Sequence, residues 1–212
     1  MKNCAAAFKT PYLKLIHSRE VCLWREIENE LRHRVALAAA AFSQQARPLF
    51  LQRSVQLHTR AQVYNCMVLS VLVYGSEAWA LTDAQLKGLE VFHRSRLRRL
   101  LGVRLSDGLS NMALYARCGS RSLKDMLEGR QLRWQGHLRR MPDERLAKHM
   151  LYSTVVARGA RHVGCQAPRL RERYMQLART RMSCAGLSRS AQRSWYLTCK
   201  DKAAWNAVCS AR

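Results

Sequence analysis

Two short stretches combine residue types in a way that suits one kind of chemistry. Arg94-Ser95-Arg96-Leu97-Arg98-Arg99 puts Arg94 and Arg98, and separately Arg96 and Arg99, on polar faces beside a leucine stripe at helical spacing. Arg130, Arg133, His137, Arg139 and Arg140 surround Trp134 in the same manner. A guanidinium is always charged and carries a planar fork of donors that fits phosphate oxygens, so rows of this kind on a helix can follow a nucleic-acid backbone. The same residues could simply form a solvated face. The pattern recurs on two helices, however, and the chain offers only 14 Asp+Glu against 37 Lys+Arg to neutralise it. Arg94, Arg96, Arg98, Arg99, Arg130, Arg133, His137, Arg139 and Arg140 are therefore the candidate nucleic-acid-binding residues.

Catalytic chemistry is not expected. Phosphoryl transfer needs two or three carboxylates converging on metal ions, and the adjacent pair Asp143-Glu144 follows Pro142, where carboxylates suit a helix start. No phosphate-cradling glycine loop, GxSxG elbow or HExxH helix occurs. His162-Val163-Gly164-Cys165 lacks a second pair at zinc spacing. His93 and His137 stand among Leu and Trp residues, as half-buried histidines bonded to a neighbouring helix do. The reading is no catalytic residue, no metal and no cofactor, and no enzyme activity for this chain by itself.

The elements that must hold the arginines follow from composition and periodicity. A formal charge of +23 on 212 residues calls for a polyanion, while 48% hydrophobic residues are enough for a packed core. The charge is uneven: residues 151–212 hold 12 basic and 2 acidic side chains, residues 61–100 only 5 and 3. The eight cysteines are no closer than ten residues apart, which fits reduced thiols in an intracellular protein, nuclear or cytoplasmic, and not a disulfide framework. The N-terminal apolar run is too short for a secretory signal, and Val63 to Tyr74 is too interrupted to span a bilayer.

Helical periods dominate throughout. Ile27, Leu31, Val35, Ala38 and Phe42 share one face of a helix ending near Pro48. Val63, Met67 and Val71 mark a second, apolar nearly all round, which stops at Gly75. Thr82 and Gln85 form a capping box ahead of Leu86, Leu89, His93, Leu97 and Leu100, with Gly102 as the stop. Ser110 caps a short helix ending at Gly119, and Ser122 a longer one carrying Leu123, Leu127, Gln131, Trp134, Leu138 and Met141. Asp143 to Tyr152 reads as another short helix. Residues 157–168 lack apolar rhythm, Pro168 opens a helix to about Ser183, and Ser188 to Val208 holds one or two more with Trp195 and Trp205. Trp79 and Trp134 are expected at the core or its edge.

The stretch Val71-Leu72-Val73-Tyr74-Gly75-Ser76-Glu77-Ala78-Trp79, followed by Leu97-Arg98-Arg99-Leu100-Leu101-Gly102 and then by Leu132-Arg133-Trp134-Gln135-Gly136-His137-Leu138-Arg139-Arg140-Met141-Pro142, resembles the region downstream of the catalytic palm in non-LTR (LINE-type) retrotransposon reverse transcriptases. That resemblance implies an all-α fold: a thumb-like helical bundle over 26–152, a basic linker over 153–167 and a smaller helical extension over 168–212, with 1–25 unassigned. It implies a fragment of an RNA-directed DNA polymerase that lacks the palm and grips template–primer through backbone contacts. The partners implied are an RNA–DNA hybrid, RNA or DNA, and the palm domain of a parent polymerase; no membrane is expected. The alternatives are a stand-alone basic helical interaction module and a relic without a present role.

Overall fold

The computed structural model describes residues 22–148, 166–193 and 195–210. The expectation of an all-α fold holds: no strand occurs among these residues. In chain order the helices are α1 (Cys22–Gln45), α2 (Leu57–Tyr64), α3 (Ser70–Leu72), α4 (Asp83–Leu101), α5 (Asn111–Cys118), α6 (Leu123–Arg140), α7 (Gln166–Cys184), α8 (Arg189–Arg193), α9 (Trp195–Thr198) and α10 (Lys202–Ser210). Wide π-type turns occupy Ala46–Phe50 and Asn65–Leu69.

The described residues divide into two compact units, one over 28–131 and the other made of those up to 27 together with those from 132 onward. The division falls within α6, between Gln131 and Leu132. Of the linker placed at 153–167, residues up to 165 lie outside the described residues, as do His162, Cys165 and most of the segment 1–25. From Asp143 the chain makes a turn and then one helical turn at 146–148; the remainder of the expected short helix also lies outside.

In the 28–131 unit, Leu31, Ala38 and Phe42 are buried along α1, while Glu28–Arg32 (2.9 Å) and Glu30–Arg34 (2.6 Å) pair one turn apart off that stripe. Phe42 stacks on Phe50 with centroids 4.8 Å apart, and Tyr64 meets both rings edge-on. The second apolar segment turns a different face inward from the expected one. Ala61, Tyr64, Val68 and Leu72 are buried, whereas Met67 is exposed. A segment apolar nearly all round has no preferred face of its own, and the π-type turn at Asn65–Leu69 resets the register within it.

α4 begins as its sequence requires. Gln85 N–H donates to Thr82 Oγ1 (3.3 Å), and Thr82 N–H donates to Gln85 Oε1 (3.0 Å), which satisfies orphan donors at both ends of the box. Gly102 ends it at φ +71°, a left-handed conformation that costs other residues a Cβ clash. Leu89, His93, Leu97 and Leu100 are buried along its inner face.

In the other unit, Leu132, Ala178, Met182, Trp195, Cys199, Trp205, Val208 and Cys209 form one core. Trp205 is 1% exposed and donates its indole N–H to the Leu132 carbonyl at 2.8 Å. Its ring lies directly on Gly136, where any Cβ would collide with it. A helix-interior glycine is unfavourable by itself; here it permits the close approach of an aromatic ring.

Candidate nucleic-acid interface

The two tryptophans of the resemblance sit differently. Trp79 is 3% exposed and held by the turn that precedes it. Gly75 adopts φ +73°, Ser76–Ala78 form a single 3-10 turn, and the Gln131 amide N–H groups donate to the carbonyls of Ser76 (3.3 Å) and Trp79 (2.7 Å). Arg130 adds a 3.3 Å pair to Glu77. The Gly75-Ser76-Glu77-Ala78-Trp79 block is thus a docking piece for the first half of α6. Trp134 is half-buried at the core edge, its ring 5.5 Å from that of His137.

The nine candidate residues separate into those the protein uses internally and those it leaves outward. Arg94 lies 3.9 Å from Glu90, Arg98 donates to Asn111 Oδ1 (3.1 Å), and Arg130 pairs with Glu77. Arg140 donates to the Cys199 carbonyl (2.7 Å), and the Arg139 guanidinium stands 4.7 Å over the Trp195 ring. Of the few acids available, Glu90 and Glu77 are the ones that pair with candidate residues among the described ion pairs, Arg94 and Arg130. Arg99, Arg133 and His137 are exposed, so His137 is not the half-buried histidine expected. Arg96 is half-buried, 4.8 Å over Phe92 and 5.2 Å over Phe42, and Arg99 is 5.3 Å over the same Phe42 ring. Burial, followed by repulsion from Arg99, holds Arg96 below the ordinary arginine range.

Beneath α4, His93 is buried and bonded to a neighbouring helix as its sequence context leads one to expect, within a polar cluster whose other members, Tyr64, Tyr115 and Glu90, the sequence did not single out. Tyr64 OH is 2.9 Å from His93 Nδ1, and His93 Nε2 is 3.1 Å from the Arg121 carbonyl. A carbonyl only accepts, so Nε2 carries the proton and Nδ1 accepts from Tyr64. The His93 ring is stacked between Tyr64 and Tyr115, with centroids 5.8 and 5.9 Å away. Glu90 accepts from Tyr115 OH (2.7 Å) and from the backbone N–H of Lys124 (2.9 Å), which places a carboxylate at the N-terminus of α6. Burial pushes His93 down and the phenols of Tyr64 and Tyr115 up. The available signal was a lone acid three residues before a histidine on an otherwise leucine-lined face.

Asp143 pairs with Lys148 at 2.7 Å, and Lys148 also donates to the carbonyls of Arg139 (3.3 Å) and Met141 (2.8 Å). The Asp143 carboxylate thus holds the lysine that closes the C-terminus of α6, and it stands just ahead of the helical turn at 146–148. Burial pushes the thiols of Cys118 and Cys209 up to about 11 and that of Cys199 up to about 12, so all three stay protonated near neutral pH. Among the described residues, no group of three His, Cys, Asp or Glu could hold a metal ion, and no helix is long and apolar enough to cross a membrane.

These features define an all-α, strongly cationic protein whose arginines either lock its helices or stand outward. Over 90 residues, 41% of its length, the chain is 31% identical to an uncharacterized transposon-derived protein of Caenorhabditis elegans. It spans 32% of that relative's length. No protein-family model matches the chain. No solved structure matches it.

Proposed function

We propose that this chain is transposon-derived and grips nucleic acid through the phosphate backbone, as the thumb region of a non-LTR reverse transcriptase would, and that it performs no polymerisation alone. The observation that carries the reading is the Arg96–Arg99 pair on α4, two guanidiniums over one phenylalanine with no carboxylate paired to either among the described residues. A chain with a formal charge of +23 would draw a polyanion to such a place. Similarity to a transposon-derived protein supports the transposon origin. Glu77 and Glu90 are engaged with Arg130, Tyr115 and Lys124, which argues against their use as metal ligands.

Fluorescence anisotropy with a labelled RNA–DNA hybrid tests the reading. Engagement of about four phosphates gives a log–log salt slope of about −3.6 with little dependence on sequence. Absence of salt-dependent binding at low ionic strength overturns it. Primer extension with Mg²⁺ or Mn²⁺ on a primed RNA template should yield no product, and product that survives further purification overturns the non-catalytic half of the proposal.

A further inference from the structure

We propose that Arg96 and Arg99 form a single phosphoryl-binding node, in which both guanidiniums hold one phosphate and act as a unit. The inference rests on the nucleic-acid reading for the source of that phosphate, but its geometry stands apart from it.

The platform is rigid. Phe42 is fully buried, stacked on Phe50 and wedged by Tyr64, so it has no free face to offer a base. Arg96 and Arg99 stand one helical turn apart, their Cζ atoms 5.2 and 5.3 Å from the Phe42 centroid, and Phe92 supports Arg96 from another side. Stacked guanidiniums lose little further freedom when they accept a ligand. The Arg96 Nε is buried with no hydrogen-bond partner among the described residues. Their neighbours Arg94 and Arg98 are tied to Glu90 and Asn111, whereas neither Arg96 nor Arg99 forms an ion pair among the described residues. Two like charges held together in this way repel one another, and a shared anion relieves both the repulsion and the lost solvation. A phosphoryl group has at least two charged oxygens pointing in different directions, so two forks can share it.

The test uses the whole chain and two probes. Pyrophosphate at ten times its Kd should raise Tm by roughly 3–6 °C. Arg96→Gln and Arg99→Gln should each abolish that rise, and the double variant should do no worse than either single one. On an RNA–DNA hybrid, each single substitution should flatten the salt slope by about one unit, again without further loss in the double. Arg96→Lys, which keeps the charge but not the stacked fork, should behave as Arg96→Gln does and remain folded. If pyrophosphate protects through these residues but no hybrid binds, the node stands with a free phosphate as its ligand, and the nucleic-acid reading fails. If hybrid binding is lost additively, and equally when exposed Arg104 and Arg117 are replaced instead, the node is overturned while the nucleic-acid reading survives. Protection by acetate equal to that by pyrophosphate also overturns it.

Discussion

The basic segment of α4 and the basic end of α6 are built from the same residue types but place their ring-stacked arginines differently, two over one ring on α4 and one on α6. At the end of α6, Arg140 reaches the Cys199 carbonyl and Arg139 lies over Trp195, so these cations join helices within their own unit. On α4, Arg94 and Arg98 are tied down similarly, yet Arg96 and Arg99 share one buried ring and, among the described residues, pair with no carboxylate. The difference is what each guanidinium meets. The Cys199 carbonyl accepts from one of the five N–H groups of Arg140 and so fixes it between two helices, whereas an aromatic ring, Trp195 under Arg139 as much as Phe42 under Arg96 and Arg99, orients a cation without neutralising it. Cationic sequence is therefore no measure of cationic surface.

The strongest way to break this contrast is at the packing side. Trp205→Ala should cost about 3–5 kcal/mol, since it removes a buried indole and its bond to Leu132. Gly136→Ala, which pushes a methyl group into the indole, should cost about 1–3 kcal/mol. Denaturant melts measure both, and a loss under about 1 kcal/mol from Trp205→Ala would show that the α6 arginines are not held by this core.

Within the 28–131 unit, Glu90→Ala should cost about 2–3 kcal/mol by leaving Tyr115 OH and Lys124 N–H without their acceptor. An unchanged melt would mean that α4 does not depend on this support. A smaller effect is expected from pH. Because His93 is held down by burial, the folded ring stays neutral where the unfolded one, at about 6.5, takes up a proton. Stability should therefore fall as pH drops through about 6.5 towards the folded value, by at most about 1.4 kcal/mol per pH unit. His93→Gln should flatten that part of the profile, and an identical slope in both proteins would exclude His93 as its source. Smallest is the cap: Thr82→Ala should cost about 1 kcal/mol, measured in the same melts, and no change would show that the box is redundant.

Local rules made much of this protein legible from residues alone. The Thr82–Gln85 box, the glycine stop at Gly102, the Ser110 and Ser122 caps and the buried faces of α1 and α4 all follow from interactions within one or two helical turns. By itself the sequence determined that the chain is helical, where most helices begin and end, and that its charge needs an outlet. Only the tertiary structure decided which arginines are tied within the protein and which stand outward. The partners that settle the matter are far away in the chain: Cys199 for Arg140, Glu77 for Arg130, Phe42 for Arg96 and Arg99. The face turned inward around Asn65–Leu69, the role of Glu90 at the start of α6 and the seat of Trp205 on Gly136 are of the same kind. Each depends on which side chain arrives opposite, and helical periodicity carries no information about that beyond the helix itself.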